Sequence, residues 1–234
     1  MNSTSPGAVA LVGSGEFLPP IEPLDSLLVE RLHETPRVVV LPTASVPDGP
    51  GVPERWAKMG VEHFTRLGAK VEPVLLLTRA DAESADLAAQ IAAANFVYFS
   101  GGKPQYLLAT LRESVCWQAI QRVYAAGGVV AGCSAGAMVL GAGMVDFPRL
   151  WRTVPALGLA PDVAVIPHFD ELPRMLTGLA RPAARRTVIA GVDGSTALIY
   201  ANQQWSVQGR GTVTIFIGQG KRVYHAGESV TIER

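Results

Sequence analysis

Twenty-one residues without a charge, Ala125 to Val145 (AAGGVVAGCSAGAMVLGAGMV), constrain the fold more than any other stretch of the chain. Length alone suggests a membrane-spanning helix, which needs about 20 apolar residues. Six of the 21 are glycine, however, and each glycine costs a helix interior about 1 kcal/mol relative to alanine. The β-branched pair Val129-Val130, followed by Gly-rich turn residues, fits a buried strand, a tight turn and then a helix. The segment therefore predicts a soluble α/β protein with no membrane span.

Other apolar runs carry the same punctuation. Ala8 to Val12 ends in Gly13-Ser14-Gly15, and Arg37 to Leu41 ends at Pro42-Thr43. Val71 to Leu77 and Asn95 to Ser100 follow. Each is short and largely apolar, as strands buried on both faces of a parallel sheet are. Between them the period changes to that of a helix: Trp56, Gly60, Phe64 and Leu67 share one face, as do Leu87 and Ile91. Cys116, Ile120 and Tyr124 fall at i, i+4 and i+8, with Gly127 placed to end that helix, so Cys116 is expected to be a core residue.

Alternating strands and helices predict a doubly wound, mostly parallel flavodoxin-like sheet with helices on both faces. From Thr196 onward the chain reads as short strands broken by glycine, which are expected to add C-terminal β-hairpins to the same domain. No linker or repeat divides the chain, so residues 1–234 are expected to form a single domain. Edges of the late hairpins offer pairing between subunits, and a homodimer is an expectation.

Charge and cysteine usage narrow the function classes. Lys+Arg and Asp+Glu balance at 20 each with no basic block, so no nucleic-acid partner is expected. The partner expected is a small molecule or peptide. Two cysteines without metal-ligand spacing speak against a disulfide scaffold or a zinc site, and neither metal nor cofactor is expected. The amino-terminal stretch MNSTSPGAVALVG has no basic region and too short an apolar run for a signal peptide, which predicts a cytoplasmic location.

Gly132-Cys133-Ser134-Ala135-Gly136 matches G-x-S-x-G between a predicted strand and a predicted helix. That context is the one in which the motif makes a nucleophile elbow, with Ser134 at the apex and Cys133 turned away from it. The N–H of Ala135, at the helix start, is placed to be one oxyanion donor. A serine nucleophile needs a base, and of four histidines only His168 follows an apolar strand and opens a loop (VAVIPHFDELP).

These pieces resemble the S51 serine peptidase family, which contains aspartyl dipeptidases (peptidase E) and cyanophycinases. The residues that carry the resemblance are Phe99-Ser100-Gly101-Gly102, Gly132 to Ala137, Gly158 to Phe169 and Gly191 to Leu198. The family's fold is flavodoxin-like and related to class I glutamine amidotransferases. The resemblance implies Ser134 as nucleophile, His168 as general base, and the N–H groups of Gly102 and Ala135 as the oxyanion hole. It also implies Asp146, in an Asp-x-Pro segment, as the orienting or substrate-site carboxylate.

Two positions depart from the family pattern. An acid is usual at the fourth position of the segment beginning at Gly191, and here it is Gly194, which leaves Asp193, Asp146 and Asp170 as alternative acids. After the Gly-Gly pair stands Lys103, where the family commonly has Asn or Asp. Arg149, Arg152 and Arg174 flank the expected site and are candidates for gripping a substrate carboxylate. The leading expectation is a serine peptidase acting on short peptides or aspartyl amide bonds. A Cys133-dependent amidase, or a family member that only binds small peptides, are the alternatives.

Overall fold

The computed structural model describes residues 6–146, 149–173, 184 and 187–232, with the backbone alone for 149–151. The strands of the first half are β1 (Ala8–Val12), β2 (Arg37–Leu41), β3 (Lys70–Pro73), β4 (Phe96–Phe99), β5 (Val129–Cys133), β6 (Gly143–Asp146) and β7 (Arg149–Pro155). Those of the second half are β8 (Val163–Ile166), β9 (Val188–Val192), β10 (Thr196–Ala201), β11 (Gln204–Gly209), β12 (Thr212–Ile217), β13 (Gly220–His225) and β14 (Ser229–Val230). The helices are α1 (Glu22–Glu30), α2 (Val52–Arg66), α3 (Arg79–Ala82), α4 (Ala85–Ala93), α5 (Pro104–Leu111), α6 (Val115–Ala125) and α7 (Ala135–Leu140).

Among the described residues the main sheet runs β14-β11-β10-β1-β5-β4-β2-β3. Strands β1, β5, β4, β2 and β3 are mutually parallel, and β10, β11 and β14 extend the sheet antiparallel. Side chains alternate between the two faces of a strand, and both faces are covered. Val9, Leu11, Val39, Val97 and Phe99 point into a core closed by Ile91 of α4, Leu107 of α5 and Ile120 of α6. Ala8, Ala10, Val12, Val38, Phe96 and Tyr98 point the other way, against Leu24 and Leu28 of α1 and Phe64 of α2. Burial on both sides is why these strands read as unbroken apolar runs.

The expected α/β architecture is present, with one addition. The late strands do not all join the main sheet: a second sheet runs β13-β12-β9-β8-β6-β7, in which β6, β8 and β9 are parallel. Val163, Val165, Ala190 and Ile215 of this sheet face the main core. Ala164, Ile166, Ile189 and Phe216 face a smaller cluster with Phe169.

The uncharged stretch resolves into the end of α6, then β5, α7 and the start of β6, and no helix among the described residues is long and apolar enough to cross a membrane. Ser114 caps α6 by accepting from the Trp117 N–H, and Gly127 (φ 94°) follows its end in the left-handed conformation. Cys116 is buried, and burial lifts its thiol to about 11. His63 contradicts its polar-looking surroundings. It is fully buried in α2, its Nε2 2.8 Å from Oδ2 of the equally buried Asp25. Burial raises the Asp25 carboxyl above its ordinary value, with His63 opposing the shift.

Candidate active site

Three close approaches make the turn after β5. A Cβ on Gly132 would stand 2.5 Å from the backbone carbon of Gly136, and one on Gly136 would stand 2.8 Å from both Cβ and O of Phe99. Glycine at both positions lets α7 begin directly against the ends of β5 and β4. The chain reverses at Ser134, whose backbone (φ 51°, ψ −106°) lies outside the ordinary regions for a residue with a side chain. Strain of this kind costs about 1–3 kcal/mol and is held in place by its surroundings. Here the Ser134 N–H donates to Val12 O at 3.0 Å and the Ser134 carbonyl accepts from the Met138 N–H. Ser134 Oγ is left at the surface of the turn and caps nothing.

His168 meets it from the second sheet. Strand β8 ends at Ile166, and His168 takes a left-handed conformation (φ 52°, ψ 37°) that opens a short 3-10 turn over Phe169–Glu171. Its Nε2 lies 3.1 Å from Ser134 Oγ, although the two residues are 34 apart in sequence. Its Nδ1 lies 3.1 Å from Oε1 of Glu171. A carboxylate at Nδ1 favours the tautomer with its proton there, and in that tautomer Nε2 faces the serine with a lone pair.

The acids therefore sort by position. Glu171 places a carboxylate in contact with the ring, and it is not among the sequence candidates. The spacing that gives it away is His-x-x-Glu, since one 3-10 turn brings i and i+3 together. Asp193 Oδ2 accepts from both the N–H and the hydroxyl of Thr212, at 2.8 and 2.7 Å, and so fastens β9 to β12. Asp170 Oδ1 accepts from the Gly194 N–H at 2.8 Å, and a Cβ on Gly194 would lie 3.5 Å from Asp170 Oδ2. A carboxylate thus stands beside position 194, although it comes from the histidine's own loop. Asp146 ends β6, the parallel neighbour of β8, and so stands at the sheet edge from which His168 emerges.

Two backbone turns flank Ser134. Gly101 and Gly102 follow β4, the neighbour of β5, and a Cβ on Gly101 would come 3.5 Å from the Ser134 Cβ. Gly102 has φ +137° and backs onto the Ala44 carbonyl, where a side chain would not fit. Its neighbours are tied: the Gly101 N–H donates to Glu16 Oε1 at 2.8 Å and the Lys103 N–H to Ala44 O at 2.6 Å. Among the described residues no acceptor takes the N–H of Gly102 or of Ala135. Cys133 is fully buried, and its thiol donates to Glu16 Oε2 at 2.9 Å. Burial first, and then the Glu16 carboxylate, push the Cys133 thiol well above its usual range.

On the rim, Lys103 pairs with Asp48 at 3.3 Å. Arg152 is exposed on β7, and the Arg149 backbone pairs with Asp146 across a bulge. Arg174 lies outside the described residues.

Residues 9–207 match the model of peptidase family S51. The chain is 30% identical over 184 residues to a cyanophycinase of Synechococcus elongatus, covering 73% of this chain and 56% of that protein. It is 32% identical over 164 residues to a cyanophycinase of Trichormus variabilis, covering 65% and 55%. The chain thus matches little more than half the length of these curated relatives. The crystal structure of a peptidase from an acI-B1 Actinobacterium superposes with a TM-score of 0.87 at 31% identity, over 98% of both chains. A Listeria monocytogenes EGD-e protein assigned to peptidase E superposes with a TM-score of 0.65 over 88% of this chain and all of the other; at 18% identity that likeness concerns the fold alone.

Proposed function

The chain belongs to peptidase family S51, and from that premise we propose that it is a serine hydrolase cleaving short peptides or aspartyl amide bonds through an acyl-enzyme on Ser134. The observation that carries this reading is the 3.1 Å contact between Ser134 Oγ and His168 Nε2, made at a strained strand–helix turn. In the reaction, Nε2 removes the hydroxyl proton as Oγ attacks the substrate carbonyl. The N–H groups of Gly102 and Ala135 receive the developing oxyanion. The imidazolium then returns the proton to the departing amine, and a water repeats the sequence to release the acid.

Glu171 is the residue we assign to orient His168. Because its side chain is 64% exposed, solvent shares the task and its contribution is modest. Glu171→Gln is expected to lower kcat about tenfold with KM unchanged, well short of the roughly 10⁴-fold loss seen when a buried triad acid becomes an amide. Asp193→Asn serves as the contrast: it is expected to lower the melting temperature and leave kcat alone, because its carboxylate serves Thr212. Steady-state kinetics and thermal melts of the two variants separate these outcomes.

A fluorophosphonate, which reacts with activated serines, tests the nucleophile itself. Peptide mapping is expected to place the adduct on Ser134 and hydrolysis to stop with labelling. Iodoacetamide is expected to leave activity intact, since Cys133 is buried and its thiol is kept protonated. Inactivation by iodoacetamide with an adduct on Cys133 would favour the amidase alternative. Saturable peptide binding with no turnover, across Asp-X, β-Asp-X and non-acidic dipeptides, would favour the binding-module alternative.

A further inference from the structure

Glu16 is a buried acid beside the elbow that the catalytic scheme above does not use. It follows β1 in the loop Gly15-Glu16-Phe17 and is 8% exposed. Its backbone is fixed on both sides. Gly15 (φ 91°) and Phe17 (φ 62°) are both left-handed, and the Phe17 ring packs among Trp56, His63, Phe64 and Tyr98 at centroid distances of 5.1 to 6.2 Å. The carboxylate spans two turns that the sequence sets far apart. Oε1 accepts from the Gly101 N–H, 85 residues away, and Oε2 accepts from the Cys133 thiol, 117 residues away.

These two turns carry the groups assigned above to the oxyanion. Gly101 immediately precedes Gly102, and Cys133 precedes Ser134 and Ala135. In the Gly101–Lys103 segment the Gly101 N–H goes to Glu16 and the Lys103 N–H to Ala44 O, while the central N–H of Gly102 has no acceptor among the described residues. Without the Glu16 contact the Gly101 peptide would be tied on one side only, and a glycine pair has more conformational freedom than any other dipeptide.

We propose that Glu16 is a positioning residue for the oxyanion hole, bracing the Gly101-Gly102 turn against the Cys133-Ser134 elbow so that the N–H groups of Gly102 and Ala135 converge. This rests on the Ser134 reading. Glu16 touches no reacting atom; it acts through the backbone of both turns. The thiol of Cys133 has a role here as well, as the donor that holds the second carboxylate oxygen. Its elevated pKa keeps that proton in place through the neutral range.

The test compares fluorophosphonate labelling of wild type, E16Q and E16M, with saturation kinetics separating the maximal inactivation rate from probe affinity and a thermal melt for each. E16M fills the space and has no strong acceptor; it is expected to cut the maximal rate at least about tenfold, a fraction of what losing an oxyanion donor outright costs, with affinity for the probe unchanged. E16Q keeps an acceptor for the Gly101 N–H and is expected to recover most of the rate. The proposal is overturned if E16M labels at the wild-type rate, whatever its melting temperature, or if E16Q is as slow as E16M. It is also overturned if E16Q outruns wild type, which would mean that the charge hinders and the bracing does not help. Where E16M does not fold, Cys133→Ala decides: losing one hydrogen bond to Oε2 is expected to slow labelling about threefold, and a wild-type rate overturns the proposal. If wild type itself takes no label at Ser134, the Ser134 reading fails and this one with it, whereas labelled wild type with indifferent Glu16 variants removes this one alone.

Discussion

Ser134→Ala and His168→Ala are each expected to lower kcat on a cleavable dipeptide by about 10⁴-fold or more, and the double variant is expected to be no worse than the poorer single. In the proposed mechanism the two side chains work as one unit, since the proton that leaves Oγ goes to Nε2 across a single 3.1 Å contact. Removing either end leaves the other without a task. What survives is the oxyanion hole and substrate binding, so KM is expected to stay close to that of wild type. Neither substitution should unfold the protein. Ser134 Oγ caps no helix, and the His168 side chain is 42% exposed, its hydrogen bonds among the described residues running to Ser134 and the exposed Glu171. The check is a dipeptide panel containing Asp-X, β-Asp-X and non-acidic members, assayed with all four proteins. Additive losses in the double variant would mean that the two act separately, and an active Ser134→Ala would end the acyl-enzyme reading.

The parts of the fold that the sequence discloses are those where a local pattern is sufficient. Strands β1 and β2 are legible to the residue because each carries an unbroken apolar run, after Arg37 in β2, that is stopped by Gly or Pro. The elbow is legible because its glycines answer to local crowding. The second sheet is not. The pattern from Thr196 onward shows short strands, β10 to β14, but says nothing of which sheet each strand joins. Thus β10 pairs with β1 and carries β11 on its other edge, while β12 pairs with β9 and carries β13. The burial of His63 is hidden for a related reason: its partner Asp25 comes from α1, and the contact exists only once the two helices are packed. Glu16 left no signal at all, because both its contacts are long-range and one is to a backbone N–H. Glu171 does carry a local signal, three residues after His168, but on a 3-10 turn and not at a strand end.

Gly132→Ala is expected to damage both the fold and the site, and Gly143→Ala, eleven residues on, to be nearly silent. At Gly132 the new Cβ would meet Gly136 C at 2.5 Å, Gly136 O at 2.7 Å and the Ala137 N at 2.9 Å. All three are backbone atoms of α7, so no side chain can rotate out of the way, and the helix must shift. Overpacking of this kind costs about 3 kcal/mol, which for a chain of this size is a fall in melting temperature of about 10 °C. The shift also carries the Ala135 N–H away from Ser134. A displacement of about 1 Å at a reacting centre can cost about 10²-fold in rate, so kcat is expected to fall by that order even in protein that remains folded. At Gly143 the nearest atom to a new Cβ is Val154 O at 3.4 Å, ordinary contact, and the change is expected to stay within about 0.5 kcal/mol. Thermal melts and kcat of the two variants decide the matter. If Gly132→Ala kept both its melting temperature and its rate, the close approach of β5 and α7 would not be what sets Ser134 in place.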